Sequence, residues 1–300
     1  MSGSGHAHHA HARGADDRRA LGAALALVLG FAAVEVVGGL FADSLALLAD
    51  AAHMLSDAFS LALALGASWL AARPASPQRS FGFRRAEILA ALVNGLLLVA
   101  LALWIFVEAA RRLGSPPTVD GGTMLAIGAI GLAVNVLAAR LLWRASGESL
   151  NVRAALRHVF ADLLGSVGVV LAAILVLAAG WERADPVVSI VIGALVLASA
   201  WGVLRDSAGI LLEAAPAGLD VGELGRTMAA HPGVVGVHDL HVWTITSGFP
   251  SLSAHVVVEA GADCHDVRAA LEQVLHDRFG LDHTTLQVEH AQGLVQIGRD

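Results

Sequence analysis

His53 and Asp57 make one His-x-x-x-Asp pair, and His158 and Asp162 make a second with the same spacing. Residues four apart lie one turn apart on one face of an α-helix, so each pair presents an imidazole beside a carboxylate. Two such helices facing each other gather two nitrogen and two oxygen donors, a set that suits tetrahedral Zn2+ at about 2.0–2.2 Å. Neutral imidazole favours zinc over Mg2+ or Ca2+, which prefer oxygen shells, while Cd2+ and Co2+ fit the same donors. A single His–Asp pair reads equally as a structural hydrogen bond, but structural pairing gives no reason for the same register to recur on a second segment. Asp50, one turn before His53, is a candidate proton relay, with an interfacial helix-start residue as the competing reading.

The setting of these residues makes them costly. SLALLADAAHMLSDAFSL, Ser44 to Leu61, stays apolar to Ala72 and lacks the polar face of a soluble amphipathic helix. Read as a membrane helix, it places ionisable groups in hydrocarbon at a cost of at least ~2.5 kcal/mol for a centred carboxylate. Such groups face a bundle interior, a partner or an ion. The whole chain agrees with that reading: 300 residues, 56% hydrophobic, 15% charged and mean hydropathy +0.67 exclude an ordinary soluble domain and point to a polytopic membrane protein in a lipid bilayer. The net charge of −7, without a single lysine, is spread over several loops and the tail, so no nucleic-acid partner is implied. One cysteine, Cys264, excludes an intrachain disulfide framework.

Six apolar segments follow the pattern of membrane-crossing helices: Ala20–Leu40, Ser44–Ala72, Ala86–Arg111, Thr123–Trp143, Ala154–Ala179 and Pro186–Leu204. Six crossings put both termini on one side. Most arginines, among them Arg18, Arg19, Arg84, Arg85, Arg140, Arg144, Arg153 and Arg157, fall on that side, and Arg111, Arg112 and Arg183 fall opposite. The positive-inside rule therefore makes both termini cytoplasmic. Glu35, Asn94, Glu108 and Asn135 are expected to hydrogen-bond between helices rather than to ligate. Residues 1–19 carry His6, His8, His9 and His11 in a Gly/Ala/Ser setting, and read as a flexible tail with loose metal affinity or as the remnant of a tag.

Beyond Leu212 the periodicity changes. A hinge at Glu213–Pro216 leads to a helix at Leu219–Ala230, strands at Val234–Thr246 and Ser251–Ala260 around a Ser-Gly-Phe-Pro turn, a helix at Cys264–Phe279 and a strand at Thr284–His290. The expected domains are thus 1–19, a flexible tail; 20–212, a six-helix transmembrane domain; 213–292, a small αββαβ domain; and 293–300, a C-terminal tail.

SLALLADAAHMLSDAFSL, SFGFRRAEILAALVNGLLL from Ser80 to Leu98 and SLNVRAALRHVFADLLGSVGVV from Ser149 to Val170 resemble the cation diffusion facilitator family, above all its zinc-transporting branch. The resemblance implies an α-helical membrane protein with six transmembrane helices and a small α+β ferredoxin-like cytoplasmic domain. It implies a homodimeric metal/proton antiporter exporting Zn2+, with Cd2+ or Co2+ as further substrates, through His53, Asp57, His158 and Asp162. It implies cytoplasmic regulatory zinc at His238 and His255, with His290 or Glu289 near the last strand as a further ligand, and a charge pair between Arg85 and Asp206. The alanine- and arginine-rich composition fits a bacterial inner-membrane member. The linker Arg73–Ser80 has no His or Asp, so the extra metal site that some relatives carry there is in doubt.

Two readings of other classes compete. An intramembrane zinc hydrolase would keep an open coordination position and a general base, commonly with three protein ligands, whereas four are counted here and no HExxH motif occurs. A membrane-tethered metal sensor needs only the tail and leaves the paired intramembrane motifs without a task.

Overall fold

The structure is a computed structural model that describes residues 26–145 and 150–291; within that span the side chains of residues 142, 144, 145, 150–158 and 161 lie outside the description. The histidines of the N-terminal tail and residues 293–300 also fall outside the described residues.

Six apolar helices come first: α1 (Ala26–Ala42), α2 (Leu45–Ala71), α3 (Ala86–Gly114), α4 (Gly121–Ala145), α5 (Leu150–Ala179) and α6 (Ala184–Leu211). Five of them are long and apolar enough to cross a membrane, and the described part of α1 is shorter. Their packing follows residue size. Small residues such as Ala42, Ala46, Ala49, Ala102, Ala172 and Ala173 are buried between helices with Leu47, Ile105 and Met124, while Trp69, Leu96, Trp104, Leu171 and Trp201 point outward. Small residues let helix backbones approach closely, and an apolar exterior is what hydrocarbon requires.

The start of α2, which carries the first His–Asp pair, is tied down from two directions. Asp43 turns the chain between α1 and α2 with φ 52, a left-handed conformation that aspartate tolerates better than most residues. Arg112 of α3 donates to the Asp43 carbonyl at 2.6 Å and to its Oδ1 at 2.9 Å. Asp185, in the first turn of α6, accepts from Ser44 Oγ at 2.6 Å, from Leu45 N–H at 2.8 Å and from Ala46 N–H at 3.1 Å. Ser44 Oγ accepts from Leu47 N–H at 3.2 Å. The N–H groups that a helix leaves unpaired at its start are thus satisfied across 140 residues of sequence. Pro186 is compatible with the same first turn of α6, where no intrahelical donor is lost.

The chain divides into two compact units, Met1–Ala64 with Val93–Val203, and Leu65–Leu92 with Leu204–Asp300. The ends of α2, α3 and α6 and the α2–α3 linker therefore group with the tail, whereas the change of periodicity alone suggests a division after Leu212. Inside the second unit the linker meets the β-hairpin. Arg84 lies over the Phe249 ring at 4.4 Å, and Thr246 Oγ1 donates to Glu87 Oε2 at 3.2 Å.

The tail itself contains α7 (Val221–Ala229), β1 (Val234–Thr246), β2 (Phe249–Val258), α8 (Cys264–Phe279) and β3 (His283–His290). Its sheet has the order β1-β2-β3, with β1 antiparallel and β3 parallel to β2, so α8 is the crossover that a parallel pair requires. Gly248 with φ 71 supplies the left-handed position of the hairpin turn, and Gly280 with φ 65 ends α8. Leu224, Met228, Leu252, Val256, Leu271 and Leu275 fill the core between sheet and helices. Asp220 and Asp263 cap α7 and α8; hydrogen bonds from the Glu223 N–H to Asp220 and from the His265 N–H to Asp263 lead the causes that hold both carboxyls below the usual range.

Candidate metal centre

His53 and Asp57 project from consecutive turns of α2, and Asp162 reaches them from α5. His53 Nε2 lies 3.7 Å from Asp57 Oδ2 and 3.7 Å from Asp162 Oδ1. One donor atom from each of the three residues lies within 4.8 Å of the other two. Two donors on a tetrahedral ion with bonds of about 2.0–2.2 Å stand roughly 3.3–3.6 Å apart, so these separations suit a shared cation. Asp162 is almost fully enclosed, with a side-chain exposure of 3% against 16% for His53 and 28% for Asp57. The fourth expected ligand, His158, lies one turn before Asp162 in α5; its side chain falls outside the described residues.

Asp50 is buried one turn before His53, near the carboxyls of Glu35 and Asp162 and the hydroxyl of Ser166. Its carboxyl hydrogen-bonds with Glu35 of α1 and Ser166 of α5, and Asn135 Nδ2 of α4 donates to Ser166 Oγ at 2.9 Å. Glu35 and Asn135 do meet other helices, in keeping with the expectation from composition. The convergence of both with Asp50 is not visible in the sequence. Its available signals were Gly131 and Gly165, where an added Cβ would lie 3.3 Å from Glu35 Oε1 and 3.0 Å from Asp50 Oδ1. Asn94 is matched with Ser60 Oγ of α2, which donates to its Oδ1 at 2.6 Å.

A second cluster lies on the tail sheet. His238 of β1 pairs in register with His255 of β2, their ring centroids 5.0 Å apart. Glu289 Oε1 of β3 lies 3.9 Å from a ring nitrogen of each. Asp239, with φ 50 at a bulge in β1, places Oδ2 3.2 Å from His238 Nδ1. His238, Asp239 and His255 hold donor atoms within 4.8 Å of one another. His290 is elsewhere: its Nε2 hydrogen-bonds to the Ala262 carbonyl at 3.0 Å and lies 3.5 Å from Cys264 Sγ. Adjacent strand residues face opposite sides, which is why Glu289 joins the cluster and His290 does not.

The expected contact of Arg85 with Asp206 is replaced by others. Arg85 Nη2 lies 3.3 Å from Glu213 Oε1, and Asp206 Oδ1 accepts from Arg205 at 3.0 Å. Asp206 takes the basic residue next to it in sequence, and Arg85 takes Glu213, just beyond α6 and first in the expected hinge.

Comparison with known proteins converges on one family. Residues 21–212 match the family model of the cation efflux transmembrane domain, and residues 216–291 match that of the cation efflux protein cytoplasmic domain. The chain is 43% identical over 290 residues to the cation efflux system protein CzcD of Alcaligenes sp. strain CT14, covering 96% of this chain and 91% of that protein. It is 45% identical over 272 residues to the zinc transporter ZitB of Escherichia coli, covering 89% and 86%. It is 42% identical over 285 residues to the cadmium, cobalt and zinc/H(+)-K(+) antiporter of Bacillus subtilis, covering 94% and 91%. A solved metal-bound C-terminal domain of the CzcD transporter is similar at 40% identity and a TM-score of 0.23, covering 24% of this chain and 99% of that one.

Proposed function

The chain belongs to the cation efflux, or cation diffusion facilitator, family, a family of membrane transporters rather than enzymes, and we propose that it exports Zn2+ in exchange for protons. The convergence of His53, Asp57 and Asp162 across α2 and α5 carries the reading. His158, placed one turn from Asp162, completes a His2Asp2 tetrahedron in this proposal. Imidazole titrates near neutral pH and cannot ligate when protonated, so protons and zinc compete for the same donors. Enclosure strips the ion of water, and rocking of helices about the site exposes the ligands alternately to the two sides. The relatives named for zinc, cadmium and cobalt support a substrate range that includes all three ions.

The protein acts as a homodimer in the bacterial inner membrane with both termini in the cytoplasm, a reading supported by the arginine distribution and by the match to the cytoplasmic family domain. His238, His255 and Glu289 hold a regulatory cation on the cytoplasmic side, with Asp239 as a fourth donor. In liposomes containing a zinc-sensitive dye, an imposed pH gradient drives zinc across the membrane, and Cd2+ and Co2+ compete for the same pathway. Zinc movement that ignores the gradient, or metal-dependent hydrolysis of lipid or peptide without flux, would contradict the reading.

A further inference from the structure

Four helices contribute to a polar cluster for which metal ligation leaves no role. Glu35, Asp50, Asn135 and Ser166 are each at most 2% exposed. Asp50 hydrogen-bonds with Glu35 and Ser166, and Ser166 accepts from Asn135. Yet Glu35 Oε2, Asp50 Oδ2 and Asn135 Oδ1 are buried without a hydrogen-bond partner. Buried acceptors of this kind are costly unless something fills them. Among the described residues no arginine or histidine pairs with Glu35 or Asp50. The glycines at 131 and 165 leave room for both carboxyls against the backbones of α4 and α5.

We propose that Glu35, Asp50, Asn135 and Ser166 form a binding site for a dehydrated alkali cation, Na+ or K+, one turn from the metal cluster. The donors on offer are carboxylate, amide carbonyl and hydroxyl oxygens, the hard ligands that alkali ions take. No nitrogen or sulfur donor draws zinc away from His53. Mg2+ keeps several waters when bound, and the hydrogen bond between Asp50 and Glu35 requires a proton on one of the two carboxyls, so the pair offers a single negative charge, which a monovalent ion matches. Asp50 lies one turn before His53 on α2, and Ser166 one turn after Asp162 on α5. Cations in two sites this close repel, so filling one weakens the other, and by linkage the effect is reciprocal. The inference rests on the antiport reading for its purpose, which is to help displace zinc, but not for its measurement.

Full-length protein in detergent at fixed pH and ionic strength is compared in NaCl, KCl and N-methylglucamine chloride. Without zinc, one of the alkali salts raises the midpoint of thermal unfolding above that in N-methylglucamine, and the salt that does so identifies the ion. In the same salt the apparent zinc affinity falls at least threefold. Glu35→Gln and Asn135→Ala abolish both differences. Identical midpoints and zinc affinities of the parent in all three salts would overturn the proposal, whatever the variants do. Alkali stabilisation in a protein that shows no zinc flux would instead uphold the site and sink the transport reading.

Discussion

The α2/α5 cluster and the tail cluster are built from the same two side-chain types and differ in what encloses them. Asp162 and His53 have 3% and 16% of their side chains exposed, whereas His238 and Glu289 have 52% and 45%. His53 and Asp57 stand on α2, whose start is capped by Asp185 and clamped by Arg112, and charge in the enclosed cluster acts through a low dielectric. The tail cluster stands on an open face of a sheet, within reach of water. Enclosure favours selection and dehydration of a passing ion, and exposure favours reversible reading of its concentration.

That contrast breaks most visibly at the enclosed cluster. Asp57→Ala removes one donor and lowers zinc affinity roughly a hundredfold or more, beyond the 10–100-fold typical of outer-shell partners. Zinc titration in a His238→Ala/His255→Ala background, which silences the tail, reads it. Next is Asp185→Ala, which leaves Ser44, Leu45 and Ala46 donors without their buried acceptor and costs about 3 kcal/mol. A lowered thermal unfolding midpoint reports the loss, and Asp185→Asn, which keeps one acceptor oxygen, falls between. At the tail, His238→Ala leaves the flux at saturating zinc in place and shifts the zinc concentration of half-maximal activation upward by about fivefold. The smallest effect is at Asp263. Its carboxyl lies below the usual range when folded, so its contribution is fully present above the unfolded value of ~3.9 and is lost as pH falls through the folded one. Hydrogen exchange in the first turn of α8 speeds up over that acid window relative to Asp263→Asn under the same conditions.

Features that depend on neighbours in sequence were readable there. The two His-x-x-x-Asp pairs, the apolar helices and the strand β1 follow from spacing and periodicity alone. The caps of α7 and α8 are local as well, yet periodicity alone starts α7 at Leu219, ahead of its cap Asp220. What could not be read depends on which distant faces meet. Asp185 caps α2 from 140 residues away, and no motif in either segment announces it. Glu35 and Asp50 lie against Gly131 of α4 and Gly165 of α5, and no spacing in the sequence brings those helix faces together. At the end of β3, residue type favours His290 as a ligand, but the parallel register with β2 sets Val257 beside Glu289 and turns that side chain to the histidines. Arg85 likewise reaches Glu213 because the linker packs in one unit with the end of α6.

The central claim is that metal crosses through the enclosed cluster and is only sensed at the exposed one. The most direct test is the initial rate of pH-driven zinc flux at saturating zinc for two double variants reconstituted side by side, His53→Ala/Asp162→Ala and His238→Ala/His255→Ala. The account predicts flux at the level of empty liposomes for the first and near-parental flux for the second. Parental flux in the first variant, or loss of flux in a folded, dimeric second variant, would contradict it.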